Sequence, residues 1–256
     1  MKATETNFLK FLQGPKQFLI PIYQRTYSWT LRECRQLWND ICKAAVDDKV
    51  SGHFVGSIVY VENGLYQAGA SLHQLLVIDG QQRLTTLMLL LAALAKAIDA
   101  SDNAAEISGK KVRNYWLFNS DEEGDLRFKL VLTQGDKDTM GRLLEDRELA
   151  TTVSPRLVEN FGFFAEQIRQ TPISLDRLYQ GIGKLIIIDV ALDRERDNPQ
   201  LIFESLNSTG LDLTQADLIR NYVLMGLEPK RQERIYQDAW YPMEQSFGAT
   251  GYATQF

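Results

Sequence analysis

Apolar positions fall into two regimes along this chain. Up to about residue 135 short apolar runs alternate with helical stretches; beyond it the spacing is almost wholly helical. In the first regime residues 18–22 read as extended, because the residue before Pro21 is held out of the helical region. A helix is expected over 30–46, with Leu31, Leu37, Trp38 and Ile41 as its apolar stripe and Thr30 and Glu33 at capping-box spacing. A strand follows at 54–61, and Asn63-Gly64 is a hairpin turn signal. The strand at 75–78 runs straight into Asp79-Gly80 and a long apolar helix over 81–100. Residues 100–109 read as a polar loop, 110–118 as a helix, 120–125 as an acidic loop and 127–132 as a strand. Helices are then expected over 136–147, 154–169, 200–206, 214–227 and 229–247. One strand interrupts them, 185–190, apolar on both faces as a buried central strand is.

The fold class this predicts is α+β, a small mixed sheet with a mainly helical second half. A strand as late as 185–190 argues for one domain over 1–256, its mixed part at 1–135 and its helical part at 136–256. Neither an internal repeat nor a low-complexity linker divides it. The run from Ser246 to Tyr252 resembles a loop in mid-protein, so the chain reads as a piece of something longer.

Composition narrows the classes. Hydrophobic residues are 45% and charged residues 24% of 256, an ordinary globular profile with room for a large core. The net charge of −5 does not suggest a strongly basic nucleic-acid binder, although a local basic groove is compatible with it. The run 84–98 is too short and too interrupted for a membrane span, and no signal peptide opens the chain, so no membrane is expected and the cytoplasm is the default. Cys34 and Cys42 share one expected helix and fit neither a disulfide framework nor zinc spacing. His53 and His73 are the only histidines, too few for a structural zinc site or an HNH nuclease centre. Any such cutting residues would lie on another chain or segment.

Against this background Asp79-Gly80-Gln81-Gln82-Arg83-Leu84-Thr85-Thr86 is the most informative stretch. A glycine turn leads into a helix whose first N–H groups and partial positive charge suit an anion. Arg83 adds a planar fork for phosphate, and Asp79 is placed to hold a metal ion or orient a water. An ordinary strand-turn-helix explains the same residues, with Asp79 or Gln81 capping and Arg83 on the solvated face. Two further constellations stand apart from it. Pro21-Ile22-Tyr23-Gln24-Arg25-Thr26-Tyr27-Ser28-Trp29 gathers three aromatics around an amide and an arginine. The aromatics fit anchoring of the N-terminal arm better than base stacking, whereas Gln24 and Arg25 fit ligand contact. In Phe203–Thr214 a helix stops, turns at Asn207 or Gly210 and restarts at Thr214; Asp217, Arg220 and Asn221 then share a face. A capped helix-helix turn explains that loop better than a ligand does. Gly181-Ile182-Gly183-Lys184 is no P-loop, being too short, lacking the hydroxyl after lysine and preceding a strand.

Four blocks in order, Pro-Ile-Tyr-Gln-Arg-x-Tyr-x-Trp at 21–29, His53-Phe54-x-Gly56-Ser57-Ile58-Val59, Asp79 to Thr86, and Phe203-Glu204-x-Leu206-Asn207-x-x-Gly210-x-x-Leu213, resemble the N-terminal domain of GmrSD-type modification-dependent restriction proteins, related to the ParB and sulfiredoxin fold. The resemblance spans nearly the whole chain. It implies a nucleoside-triphosphate-binding and hydrolysing domain of an antiphage restriction system, partnered with an HNH-type nuclease domain or subunit and with DNA. Carried over by motif, Asp79, Gln82 and Arg83 are the catalytic candidates. Gly80, Gln81, Thr85, Thr86, Tyr23, Gln24, Arg25, His53, Asn207, Thr209 and Gly210 are the nucleotide-binding candidates, and Asp79 is the ligand for magnesium. For His53 the plainer role is to orient the strand it starts. A homodimer is compatible with all of this. The competing readings are a sensing module that binds without turnover, and an interaction protein with a vestigial pocket.

Overall fold

A computed structural model describes residues 1–62, 72–101, 106–193, 196–207 and 214–249. The chain runs β1 (Lys2–Asn7), α1 (Phe8–Leu12), β2 (Lys16–Leu19), α2 (Leu31–Val46), β3 (His53–Glu62), β4 (His73–Asp79), α3 (Gln81–Asp99) and α4 (Gly109–Val112). It continues through β5 (Leu130–Val131), α5 (Gln134–Leu144), α6 (Pro155–Gln170), α7 (Leu175–Gly183), β6 (Leu185–Leu192), α8 (Pro199–Asn207), α9 (Gln215–Met225), α10 (Pro229–Ile235) and α11 (Tyr241–Ala249). The strands form one six-stranded mixed sheet in the order β1-β6-β3-β4-β2-β5, so the fold is α+β. The late strand β6 lies between β1, antiparallel to it, and β3, parallel to it.

Alternation along the strands sends residues to two buried faces. Ile58, Val77, Leu185 and Ile187 join the large cluster under α3, while Val59, Val61, Ile78, Val190 and Leu192 pack with Phe203 of α8 on the other side. Helix α3 is apolar nearly all round because it is nearly all enclosed: Leu84, Leu87, Leu89 and Leu91 are each 0% exposed. Each such side chain contributes roughly 1.5–3 kcal/mol of burial. This enclosure fixes the N-terminal end of α3 relative to the sheet. Among the described residues no helix is long and apolar enough to cross a membrane.

The expected elements at 30–46, 54–61, 75–78, 81–100 and 185–190 are present within two residues at each end. Thr30 and Glu33 form the capping box, and Thr214 forms another with Asp217. The expected hairpin turn at Asn63-Gly64 lies outside the described residues, although β3 and β4 do pair antiparallel. Other expectations need correction. Residues 110–118 are not one α-helix: after α4 the chain widens into a π turn, Arg113–Leu117, which seats both Trp116 and Leu117 in the core. The strand expected at 127–132 is only β5, because Gly124–Arg127 coil into a 3-10 turn and Phe128 makes a lone bridge to Phe118. The extended piece expected at 18–22 is instead Lys16–Leu19. Helix 229–247 is broken by a π turn at Tyr236–Trp240, and Ser246 to Ala249, expected as loop, stay helical. The Gly181-Ile182-Gly183 run ends α7. A Cβ on Gly181 would stand 2.8 Å from the Ile41 carbonyl oxygen, so this glycine permits close packing on α2 and serves no phosphate.

One buried cation gives the fold a pH signature. Lys129 is 2% exposed and donates to the Gly14 carbonyl (2.7 Å) and Asn119 Oδ1 (3.1 Å). Burial, aided by the charge of Lys16, pushes its amine down to about 8. The unfolded chain, with this amine near its ordinary 10.5, therefore holds more protons than the folded chain between about pH 8 and 10.5, and stability contributed here rises across that window. Urea titrations across the window should show this rise in wild type relative to Lys129→Met, in which it is absent.

Candidate functional site

Strand β4 ends at Asp79, and Gly80 turns the chain into α3 with φ +88°. A Cβ there would meet the Ser57 carbonyl oxygen at 2.6 Å, so the turn needs glycine both for its backbone angle and for its approach to β3. Among the described residues no side chain caps the start of α3. Neither Asp79 nor Gln81 therefore takes the capping role that an ordinary strand-turn-helix would assign them, and the first-turn N–H groups keep the polarity that suits an anion.

Arg83 lies one turn into α3, half-buried and off the solvated face. Strand β3 carries a bulge between Phe54 and Gly56, and Gly56 adopts φ +113°. The guanidinium of Arg83 occupies the groove this leaves: a Cβ on Gly56 would stand 2.5 Å from Cζ. Nη1 of Arg83 donates to the Ser57 carbonyl. Burial lowers the guanidinium from its ordinary value, and the nearby Asp79 carboxylate pulls it back up. It stays a cation with several N–H donors beyond the one that Ser57 takes.

Arg83 also lines a cleft of about 350 Å³ between α2 and β3, together with Trp29, Glu33, Gln36, Leu37, Asp40, His53, Phe54 and Val55. That size suits a small organic ligand. Phe54 is 60% exposed and Trp29 is half-buried, so the lining includes two aromatic side chains that a flat group could meet. His53 Nε2 lies 3.4 Å from Asp40 Oδ2. For Glu33, burial favours the protonated acid, but hydrogen bonds from the Thr30 hydroxyl and backbone and from Arg32 outweigh it and hold the carboxyl at about 2. Sequence reading passed over Glu33, Gln36 and Asp40 as ligand contacts. Their signal was present, since 33, 36/37 and 40 recur on one face of α2.

Several candidates make structural bonds. Gln82 Oε1 accepts from the Ser28 and Trp29 amides (2.8 and 3.2 Å) and its Nε2 donates to the Thr26 carbonyl (3.2 Å). Gln81 Nε2 donates to the Arg25 carbonyl (3.1 Å), and Gln24 Nε2 to the Ile78 carbonyl (2.8 Å). The three amides thus lash the strap 21–29 to the end of β4 and the start of α3, where they satisfy buried main-chain groups. Gln24, expected at a ligand, is buried for this reason. Thr86 is fully buried, donating to the Gln82 carbonyl and sharing a 2.6 Å hydrogen bond with the Tyr27 hydroxyl, which also accepts from Asn160 Nδ2 (2.8 Å). Thr85 is buried beside it and Tyr23 is buried under α9 and the π turn at 236–240, as the anchoring reading of the aromatics expected. Arg25 differs. It is half-buried and, among the described residues, its guanidinium has no hydrogen-bond or ion-pair partner. Asn207 ends α8, while Thr209 and Gly210 lie outside the described residues.

The structure therefore brings Asp79, Gly80 and Arg83 together at one corner with the α2–β3 cleft and His53 alongside, and holds Arg25 on the strap tied to that corner. A family model described as the GmrSD restriction endonuclease N-terminal domain matches residues 8–224. No curated protein matches the chain.

Proposed function

This chain belongs to the GmrSD restriction endonuclease N-terminal domain family, a component of restriction systems, and from that premise we propose that it binds and hydrolyses a nucleoside triphosphate to govern a partner nuclease. The observation that carries the reading is Arg83, pinned in the Gly56 groove beside an uncapped helix start and lining a cleft with aromatic walls. Phosphates seat on the first-turn N–H groups of α3 and on Arg83, with Arg25 reaching in from the strap. The nucleoside end enters the cleft between Trp29 and Phe54.

Among the described residues no three potential metal ligands stand together. A single carboxylate, Asp79, is the kind of hard oxygen donor that would hold magnesium carried in on the nucleotide, with phosphate oxygens and waters completing the shell. When bound, magnesium would draw charge from the phosphate oxygens. Asp79 orients the attacking water or holds the ion, and Arg83 with the α3 N–H groups stabilises charge as it grows on the terminal phosphate. Magnesium-dependent phosphate release tests the step. Wild type should turn over and stop on chelation, and Asp79→Ala should lose roughly 10²-fold or more in rate with binding retained. Equal turnover in Asp79→Ala removes that carboxylate from the chemistry.

A second reading rests on the locked amides. Gln81 and Gln82 are bonded to main chain, so less of the motif faces a reacting phosphate than its composition suggests. A sensor that binds nucleotide or DNA without turnover uses the same corner, and it would show binding in wild type with no phosphate release.

A further inference from the structure

The strap 21–29 is held from two sides. On one side Gln24 bonds the carbonyl of Ile78, the residue before Asp79, and Gln81 bonds the carbonyl of Arg25. On the other stands Arg220 of α9, 5% exposed. Its Nε donates to the Tyr23 carbonyl at 2.9 Å, its Nη2 to Asp217 at 2.6 Å, and its Nη1 pairs with Glu244 of α11. Glu244 also accepts from Trp240 Nε1 at 2.8 Å and from the Tyr236 hydroxyl at 3.5 Å. The Tyr23 ring packs with Leu224 and Tyr236.

Holding two helices together does not require a buried cation. Apolar side chains of similar volume commonly do it as well or better, because a buried ion pair carries a desolvation penalty. What the guanidinium adds is direction: a bond to the main chain of the strap two residues from Arg25, a charge pair with Asp217 within α9 and another that reaches Glu244 of α11. A shift of Tyr23 to Arg25 at the phosphate corner is therefore transmitted to α9 and α11 through one side chain.

We propose that Arg220 is a positioning residue that couples the phosphate corner to the docking of α9 to α11. It sets the strap for ligand, and ligand at the corner tightens those helices. The inference rests on the nucleotide reading above. Coupling of this kind is reciprocal, so either end can be read.

The test uses the full chain with magnesium and the β,γ-imido analogues of ATP, GTP, CTP and UTP as probes. In wild type, saturating probe should slow amide hydrogen exchange in 215–249 severalfold as well as at 79–86. Arg220→Met should bind probe at least fivefold more weakly, within the range of roughly 5–150-fold typical of coupled sites. Arg220→Lys should not restore binding, since one ammonium does not reproduce the fork. Probe binding that is equal in Arg220→Met and wild type overturns the inference, whatever happens to melting temperature. So does protection confined to 79–86 in wild type, which decides the matter if Arg220→Met does not fold. If wild type binds none of the four probes, the nucleotide reading fails and the coupling falls with it. That result is distinct from a chain that binds with its helices indifferent.

Discussion

Arg83→Ala is expected to weaken binding of the proposed nucleoside triphosphate by about 10- to 100-fold while the protein stays folded. The magnitude follows from the roughly 1.5–3 kcal/mol that a hydrogen bond to a charged group contributes. Arg83 is placed to make such bonds: Ser57 takes one of its donors, the guanidinium lies in the Gly56 groove, and the residue lines the cleft. The fold tolerates the change because the core of α3 begins at Leu84 and is untouched. Calorimetric titration of wild type and variant, with urea unfolding of both, checks the two halves of the statement. Equal affinity removes Arg83 from the site.

Gly80→Ala should destabilise the protein by about 2–4 kcal/mol. A left-handed conformation costs a non-glycine residue roughly 1–2 kcal/mol. The remainder comes from the new Cβ, which at 2.6 Å from the Ser57 carbonyl oxygen would force α3 and β3 apart at the point where Arg83 docks. Gly14→Ala is the control. Gly14 has a similar φ of +84° but open space around its would-be Cβ, so only the conformational part should appear. Urea midpoints of the two variants separate the terms, and equal losses would show that the contact with β3 is soft.

The parts of this structure readable from sequence are those with a local cause. Helix α2 announces itself by its capping box and apolar stripe, and α3 by an apolar run after an Asp-Gly turn. Strand β6 stands out as apolar on both faces because both faces of the sheet are covered. The edge strand β1, Lys-Ala-Thr-Glu-Thr-Asn, carries no such mark; it is a strand because β6 offers it a ladder. The site divides in the same way. Gly80 and Arg83 were readable because a glycine turn before a helix has its own geometry. The locking of Gln24, Gln81 and Gln82 was hidden, since their partners are main-chain groups more than fifty residues away. An amide suited to a ligand is equally suited to a carbonyl, and only tertiary structure decides between them. The cleft wall of Glu33, Gln36 and Asp40 faces Arg83 only once α2 packs beside β3.

A nucleotide site at the corner formed by Gly80, Arg83 and the α2–β3 cleft would show itself in stability. Thermal unfolding of wild type with each of the four nucleoside triphosphates, with and without magnesium, tests it most directly. At 100 times its dissociation constant a bound nucleotide adds about 2.7 kcal/mol to stability, an easily visible rise in Tm. Such a rise is expected with at least one nucleotide. No rise with any of them, at millimolar concentration and with magnesium present, would contradict it.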